Sequence, residues 1–462
     1  MRELFNEQKK RAVLLRASGF EQRLENLKLL KRVLLRYEDE LCQALFADFG
    51  KNPTETQITE IYPTVKEINE AIRSVRGWMR PRYVGSPLMM GWGTSWIQYQ
   101  PKGVSLIVSP WNYPIFLSVA PIVAALAAGC TVILKPSEFV SQTSQVLYKM
   151  FSENFSQDLV AVVLGGPQEA SELLTLPFDH IFFTGSTEIG KIYMQAAARH
   201  LSSLTLELGG KSPTVVDESA DLKLSAQKIV WGKFINAGQT CIAPDYLLVN
   251  KEIWPAFKKE LLQAVQSLYP EGLRSTDLAQ IVNEKHHSRL VQLLQDAIDN
   301  EAEVLTGGGF EAVGRKIAPT CVLLKNDNPK IMQEEIFGPI LPILLYQTTD
   351  EALQMIEKRG KPLALYLFSR KNSVISHFLN LTSSGGVCLN EVLLHIGNHE
   401  LPFGGLQQSG LGSYHGEFGF RAFSHERAIY RQSFLGKILS LIYPPYSQAT
   451  KKLIRKMIDW NL

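Results

Sequence analysis

Cysteine is scarce in this chain of 462 residues, and the five present, Cys42, Cys130, Cys241, Cys321 and Cys388, are scattered and form no CxxC pair. An odd, widely spaced set excludes a disulfide framework and a cysteine zinc site, and it fits a reducing compartment. No metal site is expected, and His395, His399 and His415, which lack ligand spacing, read as structural. Long apolar runs are missing as well. No stretch reaches the roughly 18 to 20 residues that span a bilayer, and the first thirty residues are charged and helix-patterned rather than an apolar leader. A cytoplasmic location is the expectation. Charge of one sign is also lacking: 48 Lys and Arg against 45 Asp and Glu leave only +3. Aromatic residues do not interleave with basic clusters, so a nucleic-acid surface is set aside. A hydrophobic share of 45% leaves no room for extensive disorder.

The length exceeds the roughly 250 to 300 residues that one core serves, so at least two cores are expected. From Leu24 to Phe49 apolar residues recur at helical spacing, and Gly50 stops the pattern. Residues 81–101 turn rich in Gly, Trp, Met and Tyr and lose that period, which reads as an exposed strand or arm that a partner subunit could cover. From residue 104 the chain alternates helical stretches with short runs that are apolar throughout: VSLIVS, TVILKP, LVAVVLGG, HIFFTG and SLTLELGG. Strands without alternation are buried on both faces, so residues 104–208 predict a doubly wound parallel sheet, an α/β fold that binds ligands at its carboxyl edge. A second series, SPTVVD, YLLVN, APTCVLLK, ILPILLY, LALYLFS and GGVCLN, predicts another α/β layer, with helices at Leu222 to Ile235 and Asp350 to Lys358. One further strand near His425 to Gln432 is a candidate partner of the arm.

Polar turns follow several of these strands. PWNYP at 110–114 carries Asn112, whose amide N–H could meet an oxyanion or simply bond a turn. In KPSE at 135–138, Glu138 suits the ribose of NAD while Lys135 could hold hydroxyls or a phosphate, so the pair is ambiguous between NAD and NADP. The turn Gly185-Ser186-Thr-Glu-Ile-Gly190 opens a helix whose free N–H groups could face a pyrophosphate; it is not the GxGxxG fingerprint, and an ordinary strand-to-helix turn is the bland alternative. Asn236-Ala-Gly-Gln-Thr-Cys241 presents one thiol from a glycine-rich loop, a nucleophile able to carry an acyl group if its environment lowers the pKa. An isolated cysteine is more often inert packing. Glu207, ending an apolar strand before Gly209 and Gly210, could act as a general base, or be a paired carboxylate.

Taken in order, PWNYP, KPSE, FTGSTEIG, LELGGKSP, NAGQTC, EEIFGP and PFGG strongly resemble the aldehyde dehydrogenase superfamily, over residues 110 to 405. The resemblance implies a Rossmann-like cofactor domain, a second α/β catalytic domain and a small β oligomerisation arm. It implies Cys241 as nucleophile, Glu207 as deacylation base and Asn112 as oxyanion donor. Lys135 and Glu138 would face the adenosine ribose, Gly185, Ser186 and Gly190 the pyrophosphate, and Glu335 and Phe337 the nicotinamide ribose and ring. Residues 1–80 and 102–208 would form the cofactor domain, 209–395 the catalytic domain, 81–101 and 396–432 the arm and substrate-site loops, and 433–462 a tail. The NHELPFGG and SYHG segments look like the class 3 and fatty-aldehyde branch, which implies a homodimer and hydrophobic aldehydes; Ser186 departs from the asparagine common in mammalian class 3 members. The expected reaction is oxidation of an aldehyde to the acid with NAD or NADP. A relative that passes the acyl group to coenzyme A, and a silent binding protein on the same fold, are the alternatives. Basic and apolar residues around Lys451 to Ile458 suggest either peripheral membrane contact or a helix that docks on the body of the protein or covers the substrate mouth.

Overall fold

In the computed structural model, residues 1–87, 90, 93–311, 314–433 and 443–459 are described. The chain opens with helices at Arg2–Leu15, Phe20–Arg36, Glu38–Phe49 and Tyr62–Trp78. The single helix expected up to Phe49 is therefore two. Tyr37 leaves the helical well at φ −96°, ψ 5°, and Glu38, Asp39 and Glu40 then crowd the first turn of the next helix, where the positive dipole end favours acids. Gly50 closes that helix in the left-handed region, as its position predicts.

Three sheets follow. The arm supplies β1 (Arg82–Val84) and β2 (Thr94–Pro101). Next come β3 (Val104–Val108), β4 (Thr131–Lys135), β5 (Val160–Val162), β6 (His180–Thr184) and β7 (Ser203–Glu207), all parallel. The second layer holds β8 (Pro213–Val216), β9 (Tyr246–Asn250), β10 (Glu303–Thr306), β11 (Thr320–Leu323), β12 (Ile340–Tyr346), β13 (Ala364–Phe368) and β14 (Gly386–Leu389). Late in the chain, β15 (Gly410–Leu411) returns antiparallel to β7, and β16 (Ser424–Arg431) pairs antiparallel with β2 along its whole length. The 425–432 strand thus joins the arm.

The six-stranded order is β15-β7-β6-β3-β4-β5. Because β4 and β6 flank β3 on opposite sides, the sheet reverses direction of growth there, and the crevice between the ends of β3 and β6 is where such sheets take ligands. The seven-stranded order β10-β11-β12-β9-β8-β13-β14 is parallel except for β10, a strand the sequence patterning misses because it is half-exposed and polar. Both sheets are buried on both faces, as their unbroken apolar runs require: β3, β4, β6, β9 and β13 have no exposed residue. Among the described residues no helix is long and apolar enough to cross a membrane.

Candidate active site

Parallel pairing carries the ends of β3, β4, β6 and β7 to one edge, with Thr184 in register with Glu207 and Val108 with Lys135. Facing that edge is the loop that leads into β9. Here Asn236, Ala237 and Gly238 all adopt positive φ, at 53°, 51° and 73°. Two successive non-glycine residues in that region store strain, which persists only where surroundings enforce it. They do. Asn236 Nδ2 donates to Asn112 O at 2.9 Å and to Gln239 O at 3.2 Å, and the Asn236 N–H donates to Glu55 Oε1 at 2.9 Å. Gln239 Nε2 donates to Gln280 O at 3.0 Å, and its Oε1 accepts the Val282 N–H at 3.0 Å. A Cβ at Gly238 would run into Gly338 O, so only glycine fits there.

This brace presents Cys241, a free and partly buried thiol. Asn112 reaches across, its Nδ2 donating to Gln239 O at 3.1 Å. An amide has two N–H donors, so one anchors the side chain and the other is left for a ligand. Beside it, Tyr113 Oη lies 2.6 Å from Thr240 Oγ1. The PWNYP turn and the NAGQTC loop, far apart in sequence, are one assembly.

Glu207 is 2% exposed, and neither carboxylate oxygen has a hydrogen-bond partner among the described residues. Burial holds its pKa well above the ordinary value. A buried carboxyl with neither oxygen satisfied is a candidate functional position. Burial also raises the Cys241 thiol to about 12, with the charges of Glu335 and Glu207 adding to the effect. The lowered thiol pKa that the sequence reading looked for is not what the fold provides. Two carboxyls and a thiol crowd one desolvated space, so the thiol rests neutral and needs a proton acceptor.

Glu335 belongs to the same crowd. It sits against Gly209, where any Cβ would overlap its carboxylate, and it accepts a backbone hydrogen bond from Gly210; burial and Asp245 nevertheless push its pKa up to about 8. Arg289 fixes the segment, donating to Glu335 O at 3.1 Å and Ile336 O at 2.5 Å, while the Ile336 N–H donates to Asp245 Oδ1 at 2.9 Å. Lys211 ties Asp245 to the carbonyls of Ile331 and Glu334. Phe337, at φ 52°, packs edge-on to Trp111 with centroids 5.3 Å apart.

The remaining predicted residues line the crevice edge. Lys135, almost fully buried, donates to Pro136 O and Glu138 Oε2, both at 3.1 Å, leaving the Glu138 carboxylate partly in solvent. Ser186 heads the helix Thr187–His200 without a side-chain cap, so the first N–H groups of that helix are open to an anion. A Cβ at Gly190 would press on Leu208 at 2.7 Å, which holds helix and strand close. An uncapped helix end, a glycine-permitted approach, and a lysine and carboxylate at the β4 end fit a dinucleotide.

Sequence reasoning missed several residues that build this site. Lys51, Glu55 and Glu60 come from the N-terminal segment and carry no motif. His399 and His415 converge on Glu67, with Nδ1 atoms 2.6 and 3.1 Å from Oε2, and the three ligand atoms lie within 4.8 Å of one another. Spacing along the chain could not reveal this, because Glu67 lies on the helix Tyr62–Trp78. The Gly416 N–H donates to Glu67 Oε1 at 2.9 Å, so both oxygens are engaged and the cluster is a tether for the late loop.

The aldehyde dehydrogenase family profile matches residues 3–429. The 4,4'-diaponeurosporen-aldehyde dehydrogenase of Staphylococcus aureus is 42% identical and covers 92% of each chain. Aldehyde dehydrogenase family 3 member B1 of Rattus norvegicus is 41% identical over 98% of this chain and 95% of its own. A solved substrate-bound AldH of Staphylococcus aureus superposes with a TM-score of 0.94 at 39% identity, covering 99% of both chains. The chain belongs to the aldehyde dehydrogenase family, whose members oxidise aldehydes to acids with NAD or NADP.

Proposed function

We propose that Cys241 is the nucleophile, Asn112 the oxyanion donor and Glu207 the base in NAD(P)-dependent oxidation of a hydrophobic aldehyde. One observation carries the assignment: a buried carboxyl with no partner among the described residues shares its electrostatic environment with a strained-loop thiol. The neutral Cys241 thiol gives up its proton to solvent as sulfur bonds to the aldehyde carbon. The alkoxide so formed takes the free N–H of Asn112 and the Cys241 backbone N–H. Bound NAD or NADP supplies the acceptor for the hydride whose departure leaves a thioester on Cys241. Glu207, its proton affinity raised by burial, then draws a proton from water, the hydroxide adds to the thioester carbon, and the sulfur–carbon bond breaks to release the acid, the proton on Glu207 returning to the departing sulfur.

Lys135, Glu138, the Gly185–Gly190 turn, Glu335 and Phe337 hold the dinucleotide in this reading, supported by the open helix end and the glycine approaches described above. A hydrophobic substrate is supported by the 4,4'-diaponeurosporen-aldehyde in the name of the Staphylococcus aureus relative. A homodimer is supported by unpaired strand edges among the described residues: β1 and β16 end the arm sheet and β14 ends the seven-stranded one, edges that a second copy would cover. Five free cysteines support a cytoplasmic setting, and the basic tail supports contact with an anionic lipid surface.

The test is pre-steady-state. Glu207→Gln gives one burst of NADH followed by slow turnover, and Cys241→Ser gives neither; steady turnover without coenzyme A in the parent enzyme excludes obligatory acyl transfer. Rapid steady turnover in Glu207→Gln, or near-normal oxidation by Cys241→Ser, refutes the assignment.

A further inference from the structure

Lys51 and Glu60 form an ion pair, Nζ to Oε1 at 2.8 Å, in which both side chains are 0% exposed. Burying two charges is costly, and an apolar pair of similar volume would often serve stability as well, so such a pair calls for another explanation. The contacts supply one. The second oxygen of Glu60 accepts the backbone N–H of Ile115 at 2.8 Å and of Phe116 at 3.3 Å. These open the helix Phe116–Ala128, which has no side-chain cap of its own. Glu60 reaches in from another element and caps it, placing a carboxylate on the positive end of the dipole. Lys51 Nζ in turn stands 4.1 Å over the ring of Tyr113, whose hydroxyl meets Thr240 next to Cys241. Residues 112 to 116 are therefore gripped at both ends from one short stretch, Lys51 to Glu60, which runs into the wide π-helical turn Gln57–Ile61. Such turns recur where geometry serves function.

We infer that Lys51 and Glu60 are positioning residues that set the Asn112 amide against the reacting oxygen, by capping the following helix and by seating Tyr113 on the nucleophile loop. The inference rests on the assignment of Asn112 as oxyanion donor. The pair touches neither substrate nor cofactor. Its effect falls on the chemical step, because an oxyanion donor displaced by a fraction of an ångström loses its hold on the transition state while substrate still binds.

The double variant Lys51→Met/Glu60→Gln removes both buried charges at similar volume. It is expected to lower kcat and the NADH burst rate about 10- to 100-fold, with KM for NAD changed less than about twofold. Combining it with Asn112→Ala is expected to cost nothing beyond Asn112→Ala alone, since both act through one group. Glu60→Asp keeps the charge but falls short of the Ile115 and Phe116 N–H groups, and is expected to lose kcat with an unchanged circular dichroism spectrum, which serves if the double variant folds poorly. Wild-type kcat in either folded variant overturns the proposal, as do losses that multiply in the triple variant. Normal turnover in Asn112→Ala alone instead sinks the oxyanion assignment, and this proposal with it.

Discussion

In the proposed reading one side chain, Glu138, sets the preference between NAD and NADP. Lys135 is held by Pro136 O and Glu138, so its charge is already answered, and the exposed part of the Glu138 carboxylate would repel an added phosphate. Glu138→Gln is therefore expected to raise the ratio of kcat/KM for NADP over NAD by roughly 10-fold; an unchanged ratio from steady-state kinetics with both cofactors would place the discrimination elsewhere. Single residues were legible in the sequence where their type is rare and their neighbours are distinctive. Asn112 sits in a polar turn after an apolar run, Glu207 ends such a run, and Cys241 lies in a glycine-rich polar loop. Their protonation was not legible, because the thiol and carboxyls are raised chiefly by burial, which the fold brings about by gathering distant segments. Lys51, Glu60 and Glu67 were invisible for the same reason: each reads as a solvated charge until the fold buries it.

Elements with uniform burial were the readable ones. Two-sided burial of β3, β4 and β6 leaves an uninterrupted apolar signature, whereas the half-exposed β10 has none, and the break at Tyr37 is a backbone choice that helical periodicity does not register. The C-terminal helix Gln448–Asp459 is legible in another sense. Lys451, Lys452, Arg455 and Lys456 recur at i, i+1, i+4 and i+5, and so do Leu453, Ile454, Met457 and Ile458, which puts them on opposite faces. Leu453 is 41% and Ile458 63% exposed, and Tyr443 and Tyr446 just before the helix are more than 60% exposed. The apolar run at 434–442 lies outside the described residues. Binding to vesicles containing about 30% anionic lipid is expected, weakening in high salt and on neutral vesicles, and lost on deletion of residues 433–462. Co-sedimentation unaffected by that deletion would dismiss the lipid contact.

Across the whole molecule, late loops are stitched to early helices. Glu67, on the helix Tyr62–Trp78, holds His399, His415 and the Gly416 N–H. Burial opposes its ionisation, but His415 and His399 outweigh it and hold the carboxyl well below its usual range. A depressed carboxyl adds stability above its unfolded pKa of about 4.3, and this is lost as pH falls through the folded value. Glu67→Gln is expected to cost about 3 to 5 kcal/mol at pH 7 and progressively less below pH ~4; a stability difference that does not shrink on acidification, measured by urea unfolding at both pH values, would contradict the tether. Glu335 runs the other way: its contribution is largest below about pH 4.3 and declines as pH rises toward 8.

The proposed nucleophile rides on the lead-in to β9, in one sheet, while the proposed base ends β7 in the other. Neither half of the molecule owns a complete catalyst. Each contributes one reactive atom across a seam, and the seam is where an approaching aldehyde must be held. Such a division lets the groove that admits substrate and the shelf that carries the dinucleotide diversify separately, provided the few cross-sheet ties, Asn112 to Gln239 and Asn236 to Asn112, keep the two halves in step.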